Sequence, residues 1–416
     1  MTISLQDAIQ RAQQNSPVFQ TAVTATKVAR ESRVAANAAM LPSVDYRTQY
    51  LNTQGNGISP VGRFVTNDGV HVYRAWGMVT ENMPGSFFLK AGPRAAAYQE
   101  ALARADQEIA RRGLVVTVTA AYYALAVAQR TYATAQQAEQ DAARFVQIAE
   151  ALERGGEVAH ADVIRFQLQY NQAKEALENA ETAMETARLN LAVLIFPTLN
   201  QDFTVVDDLD LPPALPTFPE VRMLAQRNNP EVRSALAAYH ATELGVSVAR
   251  AAFYPSLTLE LDYGIEANAF ALYSVNNDTG IDRVRQPNLG YFATYTVNLP
   301  IWDWGARRSR LRASEDQRNL AKVNLSFAQR QVLARLFSFY NEAETAWHQI
   351  DTLRDSARLA ARNLQLVTMQ YKAGETNVLS VLDAENSLNA ARDAYAAGEA
   401  RYRNALSALQ TLTGSF

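Results

Sequence analysis

The chain has no cysteine. That excludes disulfides, thiolate metal sites and a cysteine nucleophile, and it leaves no cysteine to carry an N-terminal lipid. Histidine is scarce: His71, His160, His240 and His348 are scattered and make no HExxH or other ligand spacing. The formal net charge of −3 offers no basic surface to nucleic acid. Phosphate-cradling loops are missing; TQGNGIS (53–59) places its glycines in a polar stretch that opens no helix, and reads as a plain loop. No apolar run approaches the roughly 20 residues of a membrane helix. The opening MTISLQDAIQ is polar and shows no signal peptide. That suits a cytosolic protein, and equally a mature export product with a replacement Met1. With no nucleophile motif, metal cluster or nucleotide loop, neither an enzyme nor a cofactor is expected.

What the chain does have is a doubled plan. RAQQNSPVFQTA (11–22) returns as LAQRNNPEVRSA (224–235), with Pro17 and Pro230 separated by 230 − 17 = 213. AANAAMLPS (35–43) faces VARAAFYPS (248–256), and KAGPR (90–94) faces DWGAR (303–307), at the same offset. ERGGEVAHADV (153–163) resembles YKAGETNVLSV (371–381), where Gly156 and Gly374 differ by 374 − 156 = 218. A period this long marks a duplicated half-protein, not a short solenoid repeat. The first repeat covers 1–213 and the second 214–416. At 416 residues, 48% apolar and 19% charged, the chain would suit about two or three ordinary domains, but duplication argues for one large unit.

Within each half the order of elements repeats. Alanine-rich helices cover 18–41 and 231–254 and stop at Pro42 and Pro255. Strands follow at 43–51 and 70–82, and at 256–266 and 289–299. Very long helices then run over 94–153 and 306–372, on the order of 90–100 Å at the helical rise. Gly113 is the one weak point of the first. Turns at 153–159 and around KAGET lead into closing helices at 160–195 and about 377–412. The proline-rich stretch 195–219 joins the halves. In each half the two shorter helices together match the long one, as if stacked end to end against it.

The strands alternate. Leu257, Leu259, Leu261, Tyr263 and Ile265 share one face, against Thr258, Glu260, Asp262 and Glu266; Leu289, Tyr291, Ala293, Tyr295 and Val297 alternate likewise, as do Val44, Tyr46, Thr48 and Tyr50. A soluble half-buried sheet alternates in this way, and so does a transmembrane barrel strand of about 9–11 residues. Trp76, Phe87, Phe88, Trp302 and Trp304 read as lying near strand ends, where interfacial aromatics belong. Four strands cannot close a barrel, so the open edges call for further copies of the chain.

The order, duplication and spacing of these motifs resemble the TolC-like outer-membrane factor family over almost the whole chain. The likeness rests on Asn15-Ser16-Pro17 and Asn228-Asn229-Pro230, on the paired helix-to-strand junctions, on NLPIWDWGARRSR (298–310) and on YKAGETNVLSVLDAENSLNAAR (371–392). NMPGSFFLKAGPR (82–94) departs, with three extra residues between proline and glycine. The resemblance implies mixed α and β structure. A homotrimer would join a transmembrane β-barrel, four strands per chain, to a long α-helical tunnel formed by 94–195 and 303–412. Residues 195–219 with the N-terminal helix would form an equatorial region. It implies an outer-membrane channel that reaches into the periplasm of a Gram-negative-type bacterium. Such a channel is the passive exit duct of a tripartite efflux pump or type I secretion system. Its partners would be outer-membrane lipid, a periplasmic adaptor and an inner-membrane transporter.

The resemblance also places a gate at the helical tips. Asp383 matches one of two acidic ring positions, and Ser380 stands at the other. Three Asp383 carboxylates on one axis would attract cations and resist full ionisation; a solvated residue near a helix start is the competing reading. Of the family's tyrosine–arginine–aspartate network, Tyr371 and Asp162 match, while Thr376 replaces the arginine and removes a charge-assisted link. Gly156, Glu157, Gly374, Glu375 and Thr376 are the expected adaptor contacts, although tight turns need no partner to use glycine. A soluble or periplasmic coiled-coil scaffold is the alternative, for which long alanine-rich helices suffice.

Overall fold

The computed structural model describes residues 1–52, 71–199, 202–210, 213–267, 270–276 and 284–414. The stretch 53–59, expected as a plain loop, lies outside the described residues. The chain divides into two compact units. One comprises Met1–Thr26, Ala103–Ala235 and Leu325–Phe416, the other Lys27–Leu102 and Leu236–Asn324. Each unit draws on both sequence repeats.

In chain order the elements are β1 (Thr2–Ile3), α1 (Leu5–Asn15), α2 (Pro17–Ala38), β2 (Ser43–Asn52), β3 (His71–Met83), α3 (Ala91–Arg154), α4 (His160–Ile195), β4 (Thr204–Val205) and α5 (Phe218–Asn228). Then come α6 (Pro230–Ala251), β5 (Ser256–Ala267), β6 (Tyr273–Asn276), β7 (Val284–Pro287), β8 (Leu289–Asn298), α7 (Ala306–Lys372) and α8 (Val378–Thr413). The helices α3 and α7 run unbroken for 64 and 67 residues. Gly113 does not interrupt α3, because neighbouring turns keep the hydrogen-bond ladder intact at a cost near 1 kcal/mol. The short pairs β1–β4 (parallel) and β6–β7 (antiparallel) have too few residues to show a period and are not visible in the sequence pattern.

The duplication is written into local structure. Ser4 and Asp7 form a reciprocal capping box at the start of α1, and Thr217 and Glu220 form one at the start of α5, at the same 213-residue offset. Pro17 and Pro230 occupy the first positions of α2 and α6, where the missing N–H has no helical partner to lose.

In the first unit, the largest core gathers Ile3, Val118, Tyr122, Leu125, Leu191, Ile195 and Leu209 from β1, α3, α4 and the chain between the repeats. The Tyr122 hydroxyl, buried there, donates to the Val206 carbonyl at 2.7 Å. Helix ends meet in both repeats. Asn15 Nδ2 donates to the carbonyl of Ile195, the last residue of α4, at 2.9 Å. Arg112 of α3 donates to Thr411 O of α8 at 2.7 Å and to Asn228 O, the last residue of α5, at 3.2 Å. These bonds satisfy carbonyls that helix C-termini leave open.

In the second unit, β2, β3, β5 and β8 form an antiparallel sheet in that spatial order. Cross-strand partners share a face. Tyr46, Gly77, Tyr263 and Tyr291 make one row, and Val44, Val79, Leu261 and Ala293 the next. The opposite face carries Asp45, Met78, Asp262 and Phe292, then Arg47, Trp76, Gly264 and Gly290. The first face is mostly apolar, with Thr48 and Glu81 as polar members, and it is open along the outer strands: Val44, Tyr46, Tyr291 and Tyr295 are each more than 70% exposed. Among the described residues, the outer edges of β2 and β8 have no strand partner.

One expected girdle residue is elsewhere. Trp76 sits in the interior of β3, on the polar face, because strand parity groups it with Arg74 and Met78. Its ring meets Phe292 edge-on at 5.5 Å, and the Arg74 guanidinium lies 5.4 Å from it. Gly264 makes room: a Cβ there would stand 2.1 Å from Ala75 O. Phe88, Trp302 and Trp304 do lie beyond the strands and are strongly exposed.

Candidate functional site at the helical hairpin ends

The two hairpins α3–α4 and α7–α8 turn in the same way. At the first, Glu157 N–H bonds to Leu152 O and Gly156 N–H to Glu153 O, each at 2.9 Å. At the second, Glu375 N–H bonds to Gln370 O at 2.9 Å and Gly374 N–H to Tyr371 O at 3.0 Å. This is the Schellman pattern, and it needs a left-handed residue after the helix. Gly156 and Gly374 supply it at φ 76° and 73°. Gly374→Ala is therefore expected to destabilise the turn by about 1 kcal/mol. Faster amide hydrogen exchange at Glu375 checks this, and unchanged exchange would count against it.

The helices that leave the turns are capped differently. Asn377 caps α8, its Oδ1 accepting from Ser380 N at 3.1 Å and from the Ser380 hydroxyl at 3.2 Å. Ser380, at one expected ring position, thus serves the helix cap. Ala159 begins α4 without a side-chain cap. There His160 Nδ1 reaches back across the turn to Glu153 Oε1 at 2.7 Å.

Beneath the turns lies a small core of Phe145, Ala149, Val163, Phe166, Tyr371, Val378 and Val381, one stripe from each of the four helices. Phe145 stacks on Phe166 at 5.7 Å, and Tyr371 meets Phe166 edge-on at 5.6 Å. Tyr371 is buried, and its hydroxyl has no hydrogen-bond partner. Burial, and next the Asp162 charge, push its pKa up. Asp162, in the first turn of α4, pairs with Arg165 of the same helix at 3.2 Å. The cation beside Asp162 therefore comes from its own helix and does not bridge to α7. Thr376 is half-buried, while Gly156, Glu157, Gly374 and Glu375 lie on the surface or near it. Asp383 is exposed on α8, beyond the first turn, where the helix dipole has fallen away.

The structure adds two carboxylates that sequence reading passed over. Glu385 and Glu399 are 2% and 1% exposed on α8. Glu385 follows Val378 and Val381 and precedes Leu388, and Glu399 precedes Tyr402, Leu406 and Leu409, each run spaced alternately by three and four residues, with exposed Arg392 between the two runs. The signal was legible: each Glu stands where that spacing calls for an apolar residue. Burial and the nearby Asp141 raise the Glu385 pKa to about 7. Glu399 instead meets Arg130 of α3 at 2.8 Å, and the same guanidinium holds Asp207 and Asp210.

Known proteins share this plan. The outer membrane efflux protein family matches residues 8–195 and 221–415, two segments that begin 221 − 8 = 213 residues apart. The pyoverdine export outer membrane protein OpmQ of Pseudomonas aeruginosa is 26% identical over 94% of this chain and 80% of its own length. The alkaline protease secretion protein AprF of the same species is 23% identical over 99% of this chain and 84% of its own. Among solved structures, the open-state MtrE outer membrane channel of Neisseria gonorrhoeae superposes with a TM-score of 0.81 at 22% identity, covering 99% of this chain and 89% of that one. The chain belongs to the outer membrane efflux protein family.

Proposed function

We propose that this chain is a passive exit duct, three copies of which close a twelve-stranded barrel in the outer membrane and a helical tunnel in the periplasm. The observation that carries the reading is the sheet: one face is mostly apolar and widely exposed, and among the described residues its two outer edges are unpaired. A soluble scaffold would leave Val44, Tyr46, Tyr263 and Tyr291 in water and both edges open to aggregation. Pairing β8 of one copy with β2 of the next supplies the missing hydrogen bonds and gives the apolar face to lipid.

In this reading an inner-membrane transporter supplies energy and selects cargo. The relatives named above carry names for pyoverdine export and for alkaline protease secretion on the same plan. A periplasmic adaptor docks on the hairpin turns, at Gly156, Glu157, Gly374, Glu375 and Thr376. The gate lies just beneath, where three Asp383 carboxylates converge. Tyr371 and its aromatic neighbours pack the four helices together behind that ring.

Single-channel recording of detergent-purified protein in a planar bilayer tests both parts. Small, cation-selective steps are expected. Asp383→Asn removes one negative charge per copy, so selectivity should fall and conductance should change. Steps that Asp383→Asn leaves unaltered would move the gate away from this ring. Protein that is soluble without detergent and never inserts would overturn the duct.

A further inference from the structure

Glu385 has no role in the mechanism above. It lies on the face of α8 that packs into the bundle, between Val381 and Leu388, two residues beyond Asp383. Its Oε2 has no hydrogen-bond partner, and the residue is 2% exposed. Ala384 on α8 and Ala142 on α3 are each 1% exposed, so both helices present small, buried side chains at this level. Asp141 of α3 acts on Glu385 as a second negative charge. Asp141 is itself held by Gln137 at 3.0 Å and Arg144 at 3.4 Å. From α4, Gln169 bonds to the neighbouring Asn386 at 3.3 Å. The charges α4 carries along this stretch are Asp162 and Arg165, which pair with each other, then Lys174 and Glu175. Those on α7 are Arg358, Arg362 and Lys372, and Arg358 pairs with Asp355 at 3.1 Å.

A buried position within the field of another carboxylate is a poor place for a second charge. A protonated Glu385 fits, since it keeps the seam neutral. An ionised one must gain water, and a side chain 2% exposed reaches it only if α8 moves from the helices packed against it, α3 (Thr131 to Asp393, 3.0 Å) and α4 among them. We propose that Glu385 is a gating residue, a proton-operated latch that holds α8 against α3 when neutral and releases it when charged. The latch rests on the reading of these hairpin ends as the gate, and it names what regulates that gate: the proton concentration on the tip side.

The direction follows from linkage. The carboxyl titrates higher in the closed packing than in water, so the closed state is favoured at low pH and loses that advantage as pH rises through about 7. A single site changes the closed-to-open ratio by up to about tenfold per pH unit.

The lack of cysteine makes a clean test possible. Spin labels go on Glu150→Cys in α3 and Ser387→Cys in α8, both exposed positions. Label distances are measured in the intact, detergent-solubilised protein at about pH 5.5 and about pH 8.5, either side of the expected transition. The distance should lengthen at high pH in the parent protein. Glu385→Gln, which mimics the neutral acid and preserves packing, should stay at the short distance at both values. Asp141→Asn should move the midpoint to lower pH. A parent protein that shows no change, or a Glu385→Gln variant that changes as the parent does, would overturn the latch. Bilayer conductance, recorded over the same pH values, tests the gate separately. Distances that respond to Glu385 while conductance does not would keep the latch and overturn the gate at this level. Conductance that responds to pH equally in Glu385→Gln would overturn the latch and keep the gate.

Discussion

Leu261→Arg should abolish the stable, membrane-inserted oligomer. Leu261 lies in the row Val44, Val79, Leu261 and Ala293 on the apolar face, and is 46% exposed in the single chain. An arginine on the lipid face near the bilayer midplane costs about 2–4 kcal/mol. The proposed trimer would carry the change three times, so the cost to assembly is on the order of 6–12 kcal/mol by the same scale. That is comparable to the whole stability of a typical domain. Thr294→Arg is the control, because Thr294 pairs with Glu260 on the opposite face of the same sheet. In the proposed barrel it would add the same charge to the water-filled side, and it should leave assembly nearly intact. Semi-native electrophoresis of membrane fractions, with and without heating, reads both variants. If Leu261→Arg assembles as well as Thr294→Arg, the apolar face does not meet lipid.

Strand parity makes that prediction legible in the sequence. The sides of Leu257 to Ile265 and of Leu289 to Val297 follow from alternation alone, and the sheet register keeps them. The long helices were equally plain, since α7 and α4 have no internal breaker and their ends fall at Lys372 and Ile195. The hairpin glycines were legible as well, because only a left-handed residue closes a Schellman turn. Other features were hidden for physical reasons. Two-residue strands such as β1 and β4 have no period to detect. Trp76 misled because an aromatic residue near a loop suggests a girdle, whereas its face depends on parity with Arg74 and Met78. Glu385 and Glu399 look like surface residues on alanine-rich helices. Their burial shows only when the three-and-four spacing of α8 is followed through both of them, 399 − 385 = 14 residues apart, or two heptads. The cation beside Asp162 is hidden because the family likeness places the arginine at 376, on the other hairpin, while Arg165 lies three residues along the same helix.

Arg130→Ala should be the most damaging single change in the helical unit. The guanidinium donates to Asp207, to Asp210 at 3.0 Å and to Glu399 at 2.8 Å. It thereby ties α3 to α8 and to the segment that joins the two repeats. The partners are not equivalent. Asp207 and Asp210 are partly or largely exposed, and solvent screens them, so their loss weighs little. The Glu399 side chain is fully buried, and one of its oxygens already lacks a hydrogen bond. Removing the arginine strands that carboxylate, and breaking one side of a buried pair typically costs about 3–5 kcal/mol. The pH dependence identifies the cause. Burial already holds the Glu399 pKa above the usual value, opposed by hydrogen bonds from Tyr395 and Arg130. Without Arg130 the pKa rises further, so the variant regains stability where Glu399 is protonated and loses it as pH climbs through the raised value. The gap between Arg130→Ala and the parent should therefore be wide in mildly alkaline buffer and narrow in acid. Arg130→Ala combined with Glu399→Gln, which leaves no charge to bury, should recover most of the loss at neutral pH. Thermal unfolding of the solubilised protein across pH measures all three. A double variant no more stable than Arg130→Ala would show that the surface carboxylates, and not Glu399, depend on the arginine.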